Sequence, residues 1–334
     1  MIKLSVLDQS PVPLGKKPVE ALADTVKLAQ VTEKLGYHRF WVAEHHYTRS
    51  LAGSSPEILI AHLAGKTKQI RLGSGGVMLP HYSAYKVAEN FKMLEGLAPN
   101  RIDLGIGRAP GGMPLATRAL QEGHTYRHDR YPVQIEDLVA YMHDDVDDQH
   151  RFPHLLATPL LDTAPEMWLL GSSGGSAMLA AKHGLGYAFA QFINGAGGAE
   201  VVKKYQASFQ PSAVNDHPHV LLAIFVVCAD TEEEAEKQAS VLDLALLLIE
   251  KGGAGARGIP TIEMAQKYPY TDYDRYRIAD NRNRMIVGTK MQIKEKILAL
   301  RDTYKADEFM VVTITHDFEA KLRSYELVAE AFQA

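Results

Sequence analysis

The sequence has very little cysteine, since Cys228 is the single one in 334 residues. One cysteine excludes an intrachain disulfide and a cysteine-rich zinc site, and it is typical of a reducing compartment. There is no uninterrupted apolar run of about 18 residues, so no segment is predicted to span a membrane. The first residues, MIKLSVLDQS, soon meet Asp8 and lack a secretory pattern, so we expect a cytoplasmic protein.

A strong charge of one sign is also lacking. The formal net charge is -4, and Lys and Arg do not gather into a block. A nucleic-acid partner is therefore not expected. Apolar residues, by contrast, make up 46% of the chain, which is ample for a sizeable core.

Short apolar runs alternate with longer segments whose apolar residues recur at helical spacing. The runs predict eight strands, nearly all followed by a helix: 2–7, 38–43, 70–78, 101–107, 166–171, 187–193, 220–228 and 308–313. Repeated strand–helix units require parallel strands joined by crossovers, and eight units match a (β/α)8 barrel of about 250 residues. We therefore predict an α/β fold, with a single (β/α)8 TIM-barrel domain over residues 1–334.

Two segments, 107–128 and 251–288, exceed a minimal barrel. We expect both to be insertions at the C-terminal ends of strands and to cover the barrel mouth. A doubly wound sheet with a nucleotide site is the alternative fold. Its support is GIGRAPGG at 105–112, although this spacing, G-x-G-x-x-x-G, departs from G-x-G-x-x-G.

Glycines and polar residues concentrate at the predicted strand ends, where such a barrel gathers its active site. GSSGGS at 171–176 lies between a strand and a helix, so its N–H groups and hydroxyls could surround a phosphate. Arg108, at a neighbouring strand end, could bind the same anion. A plain turn with a serine N-cap and a surface arginine are the alternatives. Gly75 and Gly76 would let a flat ligand approach the main chain, or would form a bulge or turn.

Glu44, His45 and His46 follow one another at the end of the second strand. A metal site is one interpretation, but the chain lacks H-E-x-x-H and H-x-x-E-H here, and on a strand His45 points away from the other two. An acid–base histidine is the second interpretation, because imidazole titrates near neutral pH. A polar strand end without chemical consequence is the third.

Three stretches together resemble the bacterial luciferase-like flavin monooxygenase family: AEHHYT, RLGSGGVMLPHYSAYKVAENFKMLEGLAPNRIDLGIGRAPG and LLGSSGGSAMLAAKHGLGYAFAQF. They span the first six strands, and they are most similar to the single-polypeptide luciferase-like oxidoreductases. The resemblance implies a monooxygenase that uses reduced FMN and O2 to oxygenate a small organic substrate through a C4a-peroxyflavin. It also implies a separate flavin reductase, which supplies the reduced FMN, and a homodimer.

The same resemblance assigns roles to residues. It implies that His45 is catalytic and assists proton transfer. No metal ligand is predicted, for the reasons of spacing and strand geometry given above. The cofactor-binding residues it implies are Glu44, the cis-linked Gly75 and Gly76, Arg108 and Gly171, Ser172, Ser173 and Ser176 at the phosphate, and Phe189 and Gln191 along the flavin. Gly107 stands where the luciferase has a reactive cysteine, so light emission is not expected.

Other functions stay open at this point. A deazaflavin-dependent hydride-transfer oxidoreductase belongs to the same superfamily, and a flavin-binding protein without turnover would use the same strand ends. A metal hydrolase is a more distant alternative. The sequence does not name the substrate.

Overall fold

The computed structural model describes residues 2–122, 130–252 and 258–333. The strands in these ranges are β1 (Lys3–Asp8), β2 (Arg39–Val42), β3 (Arg71–Ser74), β4 (Val77–Met78), β5 (Ile102–Gly107), β6 (Glu166–Gly171), β7 (Gly186–Ala190), β8 (Val220–Cys228), β9 (Met285–Gly288) and β10 (Glu308–Val312). The α-helices are α1 (Pro18–Lys34), α2 (Pro56–Ala64), α3 (Ala84–Leu97), α4 (Pro114–Leu120), α5 (Tyr131–Met142), α6 (Gly174–Lys182), α7 (Gly198–Ser208), α8 (Glu232–Glu250), α9 (Ile262–Lys267), α10 (Asp272–Arg282), α11 (Lys290–Tyr304) and α12 (Phe318–Phe332). None of these helices has the length and apolar composition needed to cross a membrane.

Eight strands close into a parallel barrel. They run in the order β1, β2, β3, β5, β6, β7, β8 and β10, and β10 pairs with both β8 and β1. Each is joined to the next by at least one helix, which packs outside the barrel. The predicted (β/α)8 fold is therefore confirmed. Two short strands lie off this cycle: β4 pairs with β5, and β9 pairs with the end of β8.

The two predicted insertions lie at the C-terminal end of the barrel. The first contains α4, and Gly111 in it accepts the backbone N–H of His46 at 2.8 Å. The second is more than a loop, because it holds α9, α10 and β9. Its Ile259 accepts the backbone N–H of Leu14, in the β1–α1 connection, at 2.9 Å. Residues 123–129 and 253–257 of the predicted insertions lie outside the described residues.

Charged side chains fill the opposite, N-terminal end of the barrel. Arg39, at the start of β2, is almost fully buried and donates to Glu308 at 2.7 Å and to Asp103 at 2.9 Å. Its guanidinium also lies 4.8 Å from the ring centroid of Trp168, and the indole N–H of Trp41 donates to Asp103 at 2.8 Å. Because each buried charge has partners, the network can stay in the core. It closes this end of the barrel.

Candidate active site

A cavity of about 300 Å³ opens at the C-terminal ends of the barrel strands. Most of its lining is apolar: Leu7, Trp41, Ala43, Met78, Leu170, Ala188, Ala190, Phe192, Ile193, Leu221, Ala223 and Met310. The polar side chains that reach it are few: Gln9, Glu44, His45, Arg108, Ser172, Ser173 and Ser176. An apolar cavity with a few convergent polar groups is the usual form of a cofactor or substrate site.

The cavity brings together most of the residues predicted from the sequence. Those that line it are Glu44, His45, Gly75, Gly76, Arg108, Gly171, Ser172, Ser173 and Ser176. They come from strand ends that are far apart in the sequence, and the barrel alone makes them neighbours. Their position agrees with the prediction, whereas their roles in catalysis and cofactor binding stay predictions.

Two predicted residues, Phe189 and Gln191, are not brought to the cavity. Phe189 is fully buried on the outer side of the barrel, with its ring 5.8 Å from that of Tyr304, and Gln191 accepts the hydroxyl of Tyr304 at 2.5 Å. Ala188 and Ala190 line the cavity instead. Side chains alternate along a strand, so neighbours in sequence face opposite sides. The predicted contact of Phe189 and Gln191 with the flavin is therefore corrected.

The turn between β6 and α6 has the geometry of an anion site. The first N–H groups of an α-helix have no partner inside the helix, and the helix dipole makes that end positive. Arg108 reaches this end from β5, since a Cβ built on Gly175 would lie 3.4 Å from its Nη1. A phosphate held there would meet backbone donors, serine hydroxyls and a guanidinium.

Side chains from β7 and the segment after it brace this turn. The hydroxyl of Tyr187 donates to the carbonyl of Ser173 at 3.2 Å, and burial raises the pKa of Tyr187 well above its usual range. Asn194 donates through Nδ2 to the carbonyl of Ser172 at 3.1 Å. These two hydrogen bonds hold the main chain of the turn at Ser172 and Ser173, both of which line the cavity.

Gly75 and Gly76 form a wall of bare main chain between β3 and β4. The peptide bond between them is cis, as the resemblance implies. A Cβ on Gly75 would lie 2.6 Å from Cδ1 of Leu7, and one on Gly76 would lie 2.7 Å from the carbonyl oxygen of Gly105. Neither position has room for a side chain without movement, so the wall stays flat enough for an aromatic ring to lie against it.

The carboxylate of Glu44 is buried and fully engaged by protein donors. Its Oε1 lies 2.8 Å from Nε2 of His46 and accepts the hydroxyl of Tyr82 at 2.8 Å, and its Oε2 accepts the N–H of Met78 at 3.0 Å. Burial, and then the charge of Glu44, raise the pKa of Tyr82 well above its usual range, so the phenol stays a donor. Glu44 therefore ties the end of β2 to β4 and to the start of α3.

His45 points the other way, into the cavity. Its backbone N–H donates to the carbonyl of Gly53 at 2.8 Å, which fixes the main chain below the ring. Burial away from water lowers the pKa of His45 to about 4, and the neighbouring His46 adds to the lowering. The imidazole is thus neutral at physiological pH and can accept a proton from, or donate one to, a group in the cavity.

A family model described as luciferase-like monooxygenase matches residues 2–306. The chain belongs to the luciferase-like monooxygenase family. It is accordingly an oxidoreductase of the monooxygenase type, and the resemblance seen in its sequence is confirmed.

The matches to similar proteins cover nearly the whole chain. N-acetyl-S-alkylcysteine monooxygenase of Bacillus subtilis (strain 168) is 42% identical, over 100% of this chain and 99% of the relative. The crystal structure of apo-MsnO8 superposes with a TM-score of 0.91 at 37% identity, and the match covers 100% of this chain and 99% of that one. The oxygenating constituent of 3,6-diketocamphane monooxygenase from Pseudomonas putida, solved with FMN, shares the fold with a TM-score of 0.72 at 19% identity, over 99% and 97% of the two chains.

The low pKa of His45 in this luciferase-like monooxygenase predicts how its stability depends on pH. The folded-state pKa is about 4, whereas an unfolded histidine titrates near pH 6.5. Between these values the unfolded chain binds more protons, so His45 makes the folded protein less stable as pH falls through that window. An NMR titration should show the His45 ring neutral down to about pH 5. A midpoint near 6.5 would mean that the ring is hydrated and that this assignment is wrong.

The glycine wall gives a second prediction. Gly76→Ala should destabilise the fold by about 1–3 kcal/mol, because the new methyl group meets a carbonyl oxygen of the main chain. Gly75→Ala should cost less, because the end of the Leu7 side chain can rotate away. Chemical denaturation of both variants measures the difference. Equal stability of the Gly76→Ala variant and the parent protein would contradict the packing described here.

Several cavity residues were not predicted as site residues from the sequence, among them Trp41, Leu221 and Met310. They lie within apolar strands that are buried on both faces, so no alternation marks which residues face inward. Within the described ranges, no group of three or more His, Cys, Asp or Glu side chains could hold a metal ion.

Proposed function

We propose that this protein uses reduced FMN and O2 to oxygenate a small organic substrate in the cavity at the barrel mouth. The observation that carries the proposal is the convergence of three features on one cavity. These are the anion turn of Gly171–Ser176 with Arg108, the flat wall of Gly75 and Gly76, and the imidazole of His45.

The residues present fit FMN. The phosphate would lie at the N-terminus of α6, and the isoalloxazine ring would lie along the glycine wall with apolar side chains around it. The FMN complex of a protein with the same fold supports this choice of flavin. When bound, reduced FMN supplies the oxygen chemistry, through the C4a-peroxyflavin implied by the family. The apolar lining would exclude water from that chemistry, and His45 would hold or move the proton it requires.

The proposal includes a protein partner and an oligomeric state. We propose a separate flavin reductase as the source of reduced FMN and a homodimer as the assembly, both on the strength of the family resemblance. For the substrate, the relative from Bacillus subtilis makes N-acetyl-S-alkylcysteines the first compounds to test. The cavity supports a molecule with a substantial apolar part, because most of its walls are apolar.

The test is an anaerobic titration of the pure protein with reduced FMN, followed by mixing with O2 while absorbance is recorded. Tight binding and a long-lived peroxyflavin spectrum are expected. A protein that binds reduced deazaflavin but not reduced FMN would overturn the proposal in favour of hydride transfer. Binding without turnover of any compound would favour a flavin-binding protein.

A second step identifies the substrate. N-acetyl-S-alkylcysteines of increasing alkyl length are incubated with the protein, FMN and a reductase under isotopically labelled O2. Transfer of one labelled oxygen atom to a compound would establish monooxygenation. Labelled hydrogen peroxide alone would mean that the compound is not a substrate.

A further inference from the structure

The segment from Gln191 to Gly195, which follows β7, forms part of the cavity wall. Phe192 and Ile193 both line the cavity. Phe192 is supported by Phe225 of β8, with ring centroids 5.1 Å apart. Ile193 lies at the rim, where 55% of its surface is exposed. Apolar side chains that line a cavity can pack against a bound ligand. We refer to residues 191–195 as the β7 wall.

Arg284, which lies between α10 and β9 in the second insertion, holds the β7 wall. Its Nη1 donates to the carbonyls of Phe192 at 3.3 Å and of Ile193 at 3.0 Å. Its Nη2 donates to Oδ1 of Asn281 on α10 and lies 3.8 Å from Glu250 at the end of α8. Only 21% of the Arg284 side chain is exposed. One guanidinium therefore connects the insertion to the two cavity residues of the wall.

The β7 wall also touches the anion turn. Asn194 donates to the carbonyl of Ser172 at 3.1 Å, and Gln191 donates to the carbonyl of Gly195 at 3.4 Å. The wall is thus attached to the phosphate end of the site on one side and to the second insertion on the other. An effect on the β7 wall can therefore be separated from an effect on the anion turn, because loss of Arg284 leaves the hydrogen bond between Asn194 and the anion turn in place.

We infer that Arg284 is a positioning residue that fixes Phe192 and Ile193 as the substrate-facing wall of the cavity. This inference rests on the proposed function. Without Arg284, both carbonyls lose their charged donor, and the wall can move away from the cavity. The substrate should then bind less tightly, and the preference for one alkyl length over another should weaken. FMN affinity should change little, since the anion turn keeps its own contacts.

The experiment compares three variants of the full chain: Arg284→Met, Arg284→Lys and, as control, Arg282→Met. Arg282 is a matched control because it lies two residues earlier and is exposed to a similar extent, 23%. It binds Asp243 at 2.7 Å, on α8, through two nitrogens. Hydrogen exchange of amides 191–195 measures the β7 wall directly. KM and kcat for the N-acetyl-S-alkylcysteine series measure its effect on the substrate.

In the Arg284→Met variant, exchange of these amides should accelerate by on the order of tenfold, since a charged hydrogen-bond donor is lost. KM should rise by a similar factor, while kcat and FMN affinity should change less than threefold. In the Arg284→Lys variant, exchange and KM should both lie between those of the parent protein and the Arg284→Met variant, because an ammonium keeps the charge but lacks the fixed fork of donors. Arg282→Met should leave the exchange of amides 191–195 as in the parent protein.

Two outcomes would overturn the inference. Unchanged exchange in the Arg284→Met variant would show that the wall does not depend on Arg284. Equal acceleration in the Arg282→Met variant would show general loosening of the insertion. If the parent protein binds no flavin, the proposed function fails instead, and if it oxygenates none of the series, only this choice of substrate fails. In both cases the exchange data still decide whether Arg284 holds the wall.

Discussion

Replacing His45 with alanine should uncouple the proposed reaction. We expect the variant to bind FMN but to oxygenate its substrate roughly 100 to 10,000 times more slowly, the range expected for loss of a general acid–base group. The ring lines the cavity and is neutral at physiological pH, since its pKa is lowered to about 4. In the proposed mechanism its loss would remove a proton carrier, and the anion turn and the glycine wall would stay intact. Hydrogen peroxide released per reduced FMN, measured together with product, shows the uncoupling.

The matched control for this variant is His62→Ala, on α2, because that histidine is exposed and does not line the cavity. His45→Gln separates shape from chemistry, since glutamine fills much of the space but does not exchange a proton. Unchanged product yield in the His45→Ala variant would remove His45 from the mechanism. Loss of FMN affinity in both His45 variants would instead assign His45 to cofactor binding.

The barrel could be predicted because its signal is local and repeated. Eight apolar runs, each followed by a helical pattern, leave few topologies open, and the closure by β10 onto β1 follows from parallel pairing. β9 was not predicted, because four residues, MIVG, are too few to show a period. It pairs with the last residues of β8, a contact that nothing in the local sequence of 285–288 indicates.

The sequence predicts that the site lies at the strand ends, but it does not predict which side chains of each strand face the cavity. In a parallel barrel both faces of each strand are buried, so alternation of polar and apolar residues disappears. That is why Phe189 and Gln191 were expected in the cavity in place of Ala188 and Ala190. This problem does not arise for the glycines and serines at strand ends, because they lie in turns, where the alternation of side-chain direction along a strand does not apply.

Contacts between distant segments had no signal in the sequence. Arg284 and Phe192 are separated by 92 residues, and neither belongs to a recognisable motif. The contacts of Glu44 were equally hidden in the sequence. Its position next to two histidines indicated a reactive or cofactor-binding carboxylate, whereas in the structure the carboxylate contacts His46 and accepts hydrogen bonds from Tyr82 and the N–H of Met78. The family resemblance located the residues at the cavity, and the structure was needed to show which side chains line it and which support the main chain.

Replacing Arg108 with methionine should weaken the binding of reduced FMN by on the order of 100-fold, because charge-assisted hydrogen bonds to a phosphate contribute about 1.5–3 kcal/mol. The guanidinium lies against the N-terminus of α6, where its charge adds to that of the helix dipole. Arg108→Lys should recover part of the affinity, since it keeps the charge without the bidentate fork. Arg118→Met is the control, because Arg118 lies on α4 in the same insertion and does not line the cavity.

Riboflavin, which has no phosphate, should bind the parent protein and the Arg108→Met variant equally. If the variant weakens both flavins alike, Arg108 shapes the cavity and the phosphate lies elsewhere. If it weakens FMN alone, the phosphate is bound at the N-terminus of α6, and the ring then lies toward the glycine wall and His45.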